Sequence, residues 1–283
     1  MNRIITLTTD FGTRDSFVGV MKGVILRLNP QATIVDITHD IAPQNIEQGA
    51  FLFANAVQYF PANAIHVVVV DPGVGSARRP IAAQVGETMF VAPDNGVLSL
   101  AIQNLVLSEA EGSKFENQKS AFENRKSEIC VIHLTNPAYF LLRVSATFHG
   151  RDIFAPVAAH LSLGVPLDAL GKPIDDWVKL SACANAARLG EEIAGRVVHI
   201  DRFGNAITNI GEEIRAGMDR ARVVVRIGAH SLRGIKATYA AAASGEAIAL
   251  ISSSWQVEIA VRDGNAAQTL GIRIGDEVVI QRA

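Results

Sequence analysis

The sequence is poor in cysteine, in surplus basic charge and in long apolar runs. Its two cysteines, Cys130 and Cys183, lie far apart in a chain of 283 residues, which argues against a disulfide framework or a cysteine zinc site. With 26 Lys and Arg against 28 Asp and Glu, the chain lacks the basic surplus typical of nucleic-acid binding. No apolar segment approaches the roughly 18 residues of a membrane span, and the apolar start is too short for a signal peptide. We therefore expect a cytoplasmic protein that binds neither nucleic acid nor membrane.

The first part of the chain alternates strand-like apolar runs with helical patterns. In chain order these segments are 4–8, 16–28, 33–37, 46–59 and 65–70. Such alternation predicts a mainly parallel sheet with crossover helices, in an N-terminal α/β domain over residues 1–180. A charged heptad that is nearly repeated (KFENQKS, AFENRKS) interrupts the pattern, and we interpret about 107–127 as a surface insertion.

The last third of the chain has a different pattern. After a polar, alanine-rich connection, residues 190–283 contain short strand-like runs separated by turns with glycine. This pattern is typical of a small antiparallel or barrel-like domain. The sequence therefore predicts an α/β protein with a smaller C-terminal β domain.

Two carboxylates flank the first predicted helix. Asp10 directly follows the first strand-like run, and a carboxylate at the C-terminal end of a strand can bind a ribose diol. Asp15 lies next to the predicted start of the helix, where capping the helix is the alternative to binding a ligand.

A glycine-rich loop and a lone histidine are the other candidates in this domain. The loop DPGVGSAR brings Asp71 and Arg78 into one turn, either for ligand chemistry or as a structural ion pair. It lacks the Gly-Lys-Ser/Thr ending of a phosphate-binding loop. His149 lies between a strand-like run and a helix, where it could be a base, a metal ligand or a core histidine. Because no further residues with metal-ligand spacing accompany it, we expect neither a metal nor a cofactor.

Loops of the predicted β domain carry groups that can recognise a nucleoside. Asp201, Phe203 and Asn205 follow a strand-like run, and an amide and an aromatic ring can pair with and stack on adenine. Two further loops contain Ser254 and the segment from Arg262 to Gly264. Solvent-facing turns are the alternative interpretation of each loop.

Six motifs, spread over nearly the whole chain, together resemble one family. They are TTDFGTRDSFVG, VVVVDPGVGSARR, VAPDNGVLSL, TFHGRDIFAP, DRFGNAITNI and EIAVRDGNAA. The resemblance is to the S-adenosylmethionine hydroxide adenosyltransferases, which are related to the S-adenosylmethionine-dependent fluorinases and chlorinases. It implies hydrolysis of S-adenosylmethionine to adenosine and methionine by a homotrimer. The site would lie between one subunit's first domain and its neighbour's second.

The resemblance also implies roles for individual residues. Asp71, Arg78 and His149 match the pocket of the attacking water, and they are implied to be catalytic. The positions that match substrate contacts are Asp10 for the ribose, Asp15 and Asp201 for the methionine amino group, Ser254 for its carboxylate, and Phe203, Asn205 and the backbone around Arg262 and Gly264 for adenine.

Three other functions remain open. A halide-using lyase of the same family would make 5′-halo-adenosine, although an ionised Asp71 would repel a halide. A binding module would hold the nucleoside without turnover, and a metal hydrolase would use His149 with the aspartates. Whether His149 or Arg78 manages the proton of the attacking water is also open.

Overall fold

The computed structural model describes residues 3–110, 129–180, 186–211 and 218–283. The chain divides into two compact units, Met1–Leu180 and Ser181–Ala283. Most of the predicted insertion, residues 111–127, lies outside the described residues. No helix in the described ranges is long and apolar enough to cross a membrane.

One sheet organises the first unit. Its described strands are β1 (Ile4–Thr9), β2 (Thr33–Thr38), β3 (Ile65–Val69), β4 (Pro80–Val85), β5 (Thr88–Pro93), β6 (Ile129–Leu134) and β7 (Gly171–Pro173). They lie in the order β2-β1-β3-β5-β4-β6-β7. The pairings among β2, β1, β3 and β5 are parallel, and those that involve β4, β6 and β7 are antiparallel. The predicted α/β class is confirmed, with antiparallel pairing in one half because β4 and β5 form a tight hairpin.

Helices cover both faces of this sheet. The described α-helices are α1 (Phe17–Leu28), α2 (Ile46–Val57), α3 (Ser99–Ala110) and α4 (Ala155–Ser162). Side chains of β3 and of Val70, which follows it, are divided between two buried clusters, with Ile65 and Val67 on the side of α1 and α4, and Val68 and Val70 on the side of α2 and α3. Burial on both faces explains why 65–70 is an unbroken apolar run.

The second unit is built mainly from strands. Its described elements are β8 (Ala187–Leu189), β9 (Glu192–Ile200), β10 (Ala206–Thr208), β11 (Val223–Ile227), β12 (His230–Arg233), β13 (Ile235–Lys236), β14 (Ala247–Ile251), β15 (Val257–Val261), α5 (Ala266–Leu270) and β16 (Glu277–Arg282). The sheet runs β12-β11-β16-β9-β10-β15-β14-β13, with β8 beside β9, and it is nearly closed like a barrel. The predicted barrel-like β fold is confirmed.

Two strand ends that lead into candidate site residues lie at one edge of the first sheet. Since β1 and β3 pair in parallel, with Thr9 opposite Val69, both strands end at the same edge. Asp10 and the loop that begins at Asp71 follow these two ends. Ligand sites of open α/β sheets usually form at this edge.

A fully buried histidine lies on β3, an inner strand of the sheet. His66 on β3 has no exposed surface, and its Nδ1 lies 2.7 Å from the hydroxyl oxygen of Thr6. Its ring stacks on Phe90, with 5.6 Å between ring centroids. Burial lowers the pKa of His66 from 6.5 to about 4. The folded protein therefore keeps this ring neutral at pH values where the unfolded chain protonates it.

This histidine makes the first unit sensitive to mild acid. Below pH 6.5 the unfolded state binds a proton that the folded state does not, so the unfolding free energy falls as the pH falls towards 4. At pH 4.5 the loss from His66 is roughly 2–3 kcal/mol. We expect His66→Phe to lack this part of the acid destabilisation, as measured by urea denaturation at pH 7 and pH 4.5. Equal losses in the variant and in the original protein would contradict this account.

Candidate active site

The glycine-rich loop after β3 folds back on itself and pairs Asp71 with Arg78. The amide of Val74 donates to the Asp71 carbonyl at 3.2 Å, and the Ser76 hydroxyl donates to the Gly73 carbonyl at 2.7 Å. Arg78 then meets the Asp71 carboxylate through two nitrogens, with Nε 3.0 Å from Oδ1 and Nη2 bonded to Oδ2. Only 6% of the Asp71 side chain and 7% of the Arg78 side chain are exposed.

A second loop, residues 145–149, lies directly against the glycine-rich loop. Gly75 has a φ of +77°, and a Cβ there would lie 2.3 Å from the carbonyl oxygen of Ala146. Any other residue at position 75 would push the two loops apart. This close approach brings His149 to the ion pair, and its Nδ1 lies 3.0 Å from Arg78 Nη2.

The contact with Arg78 determines which nitrogen of the His149 ring carries the proton. A guanidinium is always protonated and only donates, so Nδ1 must accept the hydrogen bond. The neutral ring then carries its proton on Nε2. The remaining guanidinium nitrogen, Arg78 Nη1, is buried and has no hydrogen-bond partner among the described residues. The guanidinium also lies over the Phe154 ring, 5.5 Å from its centroid.

Burial shifts the two ionisable partners of Arg78 in opposite directions. Burial raises the pKa of Asp71, Arg78 opposes this, and the nearby Asp10 adds to it. Two guanidinium contacts keep this carboxylate ionised at neutral pH. Burial and the Arg78 cation lower the pKa of His149, against the opposing effects of Asp71, Asp152 and the Ser145 backbone. At pH 7 the site therefore combines an ion pair with a neutral imidazole.

Asp10 and Asp15 differ in their surroundings. Asp10 follows β1, and its Oδ2 accepts a hydrogen bond of 2.7 Å from the amide of Gln44. Its negative charge adds to the effect of burial in raising the pKa of Asp71. Asp15 is exposed, has no hydrogen bond or ion pair with any described residue, and lines a groove with Lys22 and His39. The structure thus groups Asp10 with Asp71, Arg78 and His149, and leaves Asp15 unengaged.

In the second unit, Asp201 organises a loop after β9. Its Oδ1 accepts from the amides of Phe203 and Asn205 at 2.9 Å each, and its Oδ2 accepts from Asn205 Nδ2 at 3.0 Å. Gly204 has a φ of +85°, and a Cβ there would lie 2.1 Å from the side chain of Asn265. The loop 201–205 therefore packs against the loop that contains Gly264. Asn205 is buried, whereas 74% of Phe203 is exposed.

The remaining predicted contacts lie in two other loops of this unit. The hydroxyl oxygens of Ser254 and Ser252 are 2.9 Å apart. Arg262 donates through Nη1 to the carbonyl of Ala242 at 2.6 Å, so its guanidinium braces the backbone. The amide of Gly264 donates to the Val261 carbonyl at 3.1 Å.

Sequence reasoning missed three buried carboxylates, Asp94, Asp152 and Glu258. Asp152 is fully buried beside the loop of His149. Glu258 on β15 is 4% exposed, and its Oε1 accepts a hydrogen bond of 2.5 Å from the Tyr239 hydroxyl. Burial raises the pKa of Glu258, and the charge of Asp201 adds to this. A glutamate inside an otherwise apolar strand was the available signal for Glu258.

Within the described ranges, no group of three or more His, Cys, Asp or Glu residues is arranged to hold a metal ion.

Comparison with known proteins matches both parts of the chain to one family. The model of the SAM hydroxide adenosyltransferase N-terminal domain matches residues 5–171, and that of the C-terminal domain matches residues 195–279. An (R)-S-adenosyl-L-methionine hydrolase of Salinispora tropica is 36% identical over 275 residues, 97% of this chain and 96% of the relative. A fluorinase of an Actinoplanes species is 26% identical over 74% of this chain and 72% of its own.

A solved structure shares the fold. An uncharacterized conserved protein from Thermotoga maritima has a TM-score of 0.83 and 35% identity, with 98% of this chain and 100% of that chain covered. Together, the two domain models and the full-length relatives show that this chain belongs to the S-adenosylmethionine hydroxide adenosyltransferase family.

Proposed function

We propose that the protein hydrolyses S-adenosylmethionine to adenosine and methionine. The observation that carries the proposal is the buried cluster of Asp71, Arg78 and His149, in which one guanidinium nitrogen has no protein partner among the described residues. The name of the Salinispora tropica relative, an (R)-S-adenosyl-L-methionine hydrolase, supports the same reaction.

The difficult part of this reaction is to activate the nucleophile. An oxygen attacks the ribose 5′ carbon as the bond from that carbon to sulfur breaks, and methionine leaves with the electron pair as a neutral thioether. The leaving group therefore needs no acid catalyst and no metal. Water has a pKa of about 15.7, so the site must stabilise a hydroxide-like oxygen.

Arg78 suits this task because its surroundings hold it in place. Asp71 binds two of its nitrogens and Phe154 lies beneath it, so Nη1 can donate to the attacking oxygen without a change of conformation. Donors fixed in advance in a site shielded from water stabilise a developing anion strongly.

His149 then acts as a donor to the attacking oxygen. Its lone pair on Nδ1 faces Arg78, so Nε2–H is the ring group left to orient that oxygen. The cluster thus favours hydroxide stabilisation by Arg78 over proton abstraction by His149. Asp71 also disfavours the halide-using alternative, because its negative charge lies beside the oxygen site.

The substrate contacts are part of the proposal. Asp10 would bind the ribose diol, Asp15 and Asp201 the methionine amino group, and Ser254 the carboxylate. Asn205 donates its Nδ2 to Asp201, which leaves its Oδ1 to accept from the exocyclic amine of adenine. The exposed Phe203 ring would stack on the base, and backbone groups around Arg262 and Gly264 would complete the adenine site.

The direct assay separates hydrolysis from its alternatives. Purified protein should release adenosine and methionine in equal amounts, with no 5′-chloro-adenosine when chloride is added and no loss of activity with a chelator. Asp71→Asn should bind the substrate but turn over roughly 100-fold more slowly, since Arg78 loses its fixed orientation. Chromatography of the products measures the turnover of the original protein and of the variant.

A matched control is Asp176→Asn. Asp176 pairs with the neighbouring Arg79 at 2.7 Å on the surface, so its loss should leave turnover unchanged. Normal turnover with lost binding in Asp71→Asn would instead make Asp71 a ligand contact. Binding without any release of adenosine by the original protein would favour a binding module.

The role of His149 can be tested with two substitutions. Glutamine keeps an N–H near the position of Nε2 but accepts no proton at neutral pH, whereas alanine removes both functions. We expect His149→Gln to stay within about tenfold of the original kcat and His149→Ala to lose about 100-fold. Equal, large losses in both variants would identify His149 as the base.

The assembly is a further part of the proposal. We propose a cytoplasmic homotrimer with sites between subunits, as the family resemblance implies. Exposed Phe203 and Trp255, at 74% and 62%, are the large apolar side chains that a ligand and a neighbouring subunit would cover. Sedimentation velocity should give three times the mass of one chain, and a stable monomer that is fully active would contradict the trimer.

A further inference from the structure

We propose that Asp152 is a positioning residue that fixes His149 against Arg78 by closing the loop 145–149. The inference rests on the proposed function. Asp152 has no hydrogen bond or ion pair with Asp71 or Arg78, and it acts through the backbone and through Ser145.

Asp152 has a buried carboxylate, and both of its oxygens accept hydrogen bonds. Its side chain is fully buried. Oδ2 accepts from the Ser145 amide at 2.8 Å and from the Ser145 hydroxyl at 2.7 Å. Arg151 donates to Oδ1 through Nε at 2.5 Å and to Oδ2 through Nη2 at 3.0 Å. A buried charge is destabilising unless it is paired and hydrogen-bonded, so such a complete set of partners indicates a requirement for the carboxylate.

These hydrogen bonds also close the loop around His149. The Ser145 hydroxyl accepts from the Phe148 amide at 3.1 Å while it donates to Asp152. The Phe148 carbonyl in turn accepts from the Asp152 amide at 3.1 Å. The amide and the carbonyl of Phe148, the residue before His149, are thus both fixed through Asp152. A π-helical turn, Gly150–Phe154, follows and leads into α4. Such turns are frequent at functional sites.

The loop 145–149 also contacts the glycine-rich loop. Ala146, next to Ser145, is the residue whose carbonyl oxygen leaves no room for a side chain at Gly75. A shift of Ser145 therefore moves the contact that sets the distance from His149 to Arg78. The charge of Asp152 also raises the pKa of His149, in opposition to burial and to Arg78.

A double-mutant cycle tests whether Asp152 acts through His149. We expect Asp152→Asn to lower kcat about tenfold or more with KM changed less than twofold, since small misplacements of reacting groups are costly. In the His149→Ala background the same substitution should cost nothing further. Ser145→Ala, which keeps the charge of Asp152 but removes both hydrogen bonds of the Ser145 hydroxyl, should show the same pattern if Asp152→Asn folds poorly.

Asp94→Asn is the matched control. Asp94 is also a buried carboxylate, with Arg79 Nε at 2.8 Å and the Val178 amide at 2.8 Å as donors. If Asp94→Asn lowers kcat, it should do so by the same factor in the original protein and in the His149→Ala background. An equal loss from Asp152→Asn in both backgrounds, or an unchanged kcat, would overturn the inference.

Nitrogen-15 NMR of the histidines tests the inference without any activity. The His149 signals, assigned with His149→Gln, should show an unprotonated Nδ1 in the original protein and a mixture of tautomers in Ser145→Ala. An identical His149 spectrum in Ser145→Ala would overturn the positioning role. If the original protein released no adenosine, hydrolysis would fail as a function, and the NMR result would still decide the role of Asp152.

Discussion

The buried ion pair between Asp71 and Arg78 is the interaction on which the site depends. Two charges withdrawn from water are stabilised only by close, well-directed contacts, and the two guanidinium contacts to Asp71 supply these. The pair orients the third guanidinium nitrogen, and it fixes the tautomer of His149 through Nη2. Its position follows from the sheet, because β1 and β3 end side by side and deliver Asp10 and Asp71 to the same edge.

Much of the first unit could be predicted from its apolar pattern. The predicted segments of β1, α1, β2, α2 and β3 end within two residues of the observed bounds. The hairpin of β4 and β5 was missed, since Pro80 and a run of small residues weaken its alternation. Helix α3 was also missed, because its apolar side chains do not form a narrow stripe. Because the hairpin was missed, the antiparallel pairing in that half of the sheet was not predicted either.

The site was predictable only in part from the residues themselves. The spacing of Asp71 and Arg78 within one turn predicted their ion pair as one of two interpretations. His149 lies 71 residues further along the chain, so only the family resemblance connected it with Arg78. The proton position on its ring depends on which atom faces the guanidinium, and no sequence pattern carries that information. Asp152 was not predicted to belong to the site, because its partner Ser145 lies in a loop with no recognisable signal.

The central claim is that water supplies the oxygen that displaces methionine. Incubation of the pure protein with S-adenosylmethionine in oxygen-18 water tests it most directly, with mass spectrometry of both products. The account predicts one labelled oxygen at the 5′ position of adenosine and no label in methionine. Unlabelled adenosine, or no adenosine at all, would contradict it.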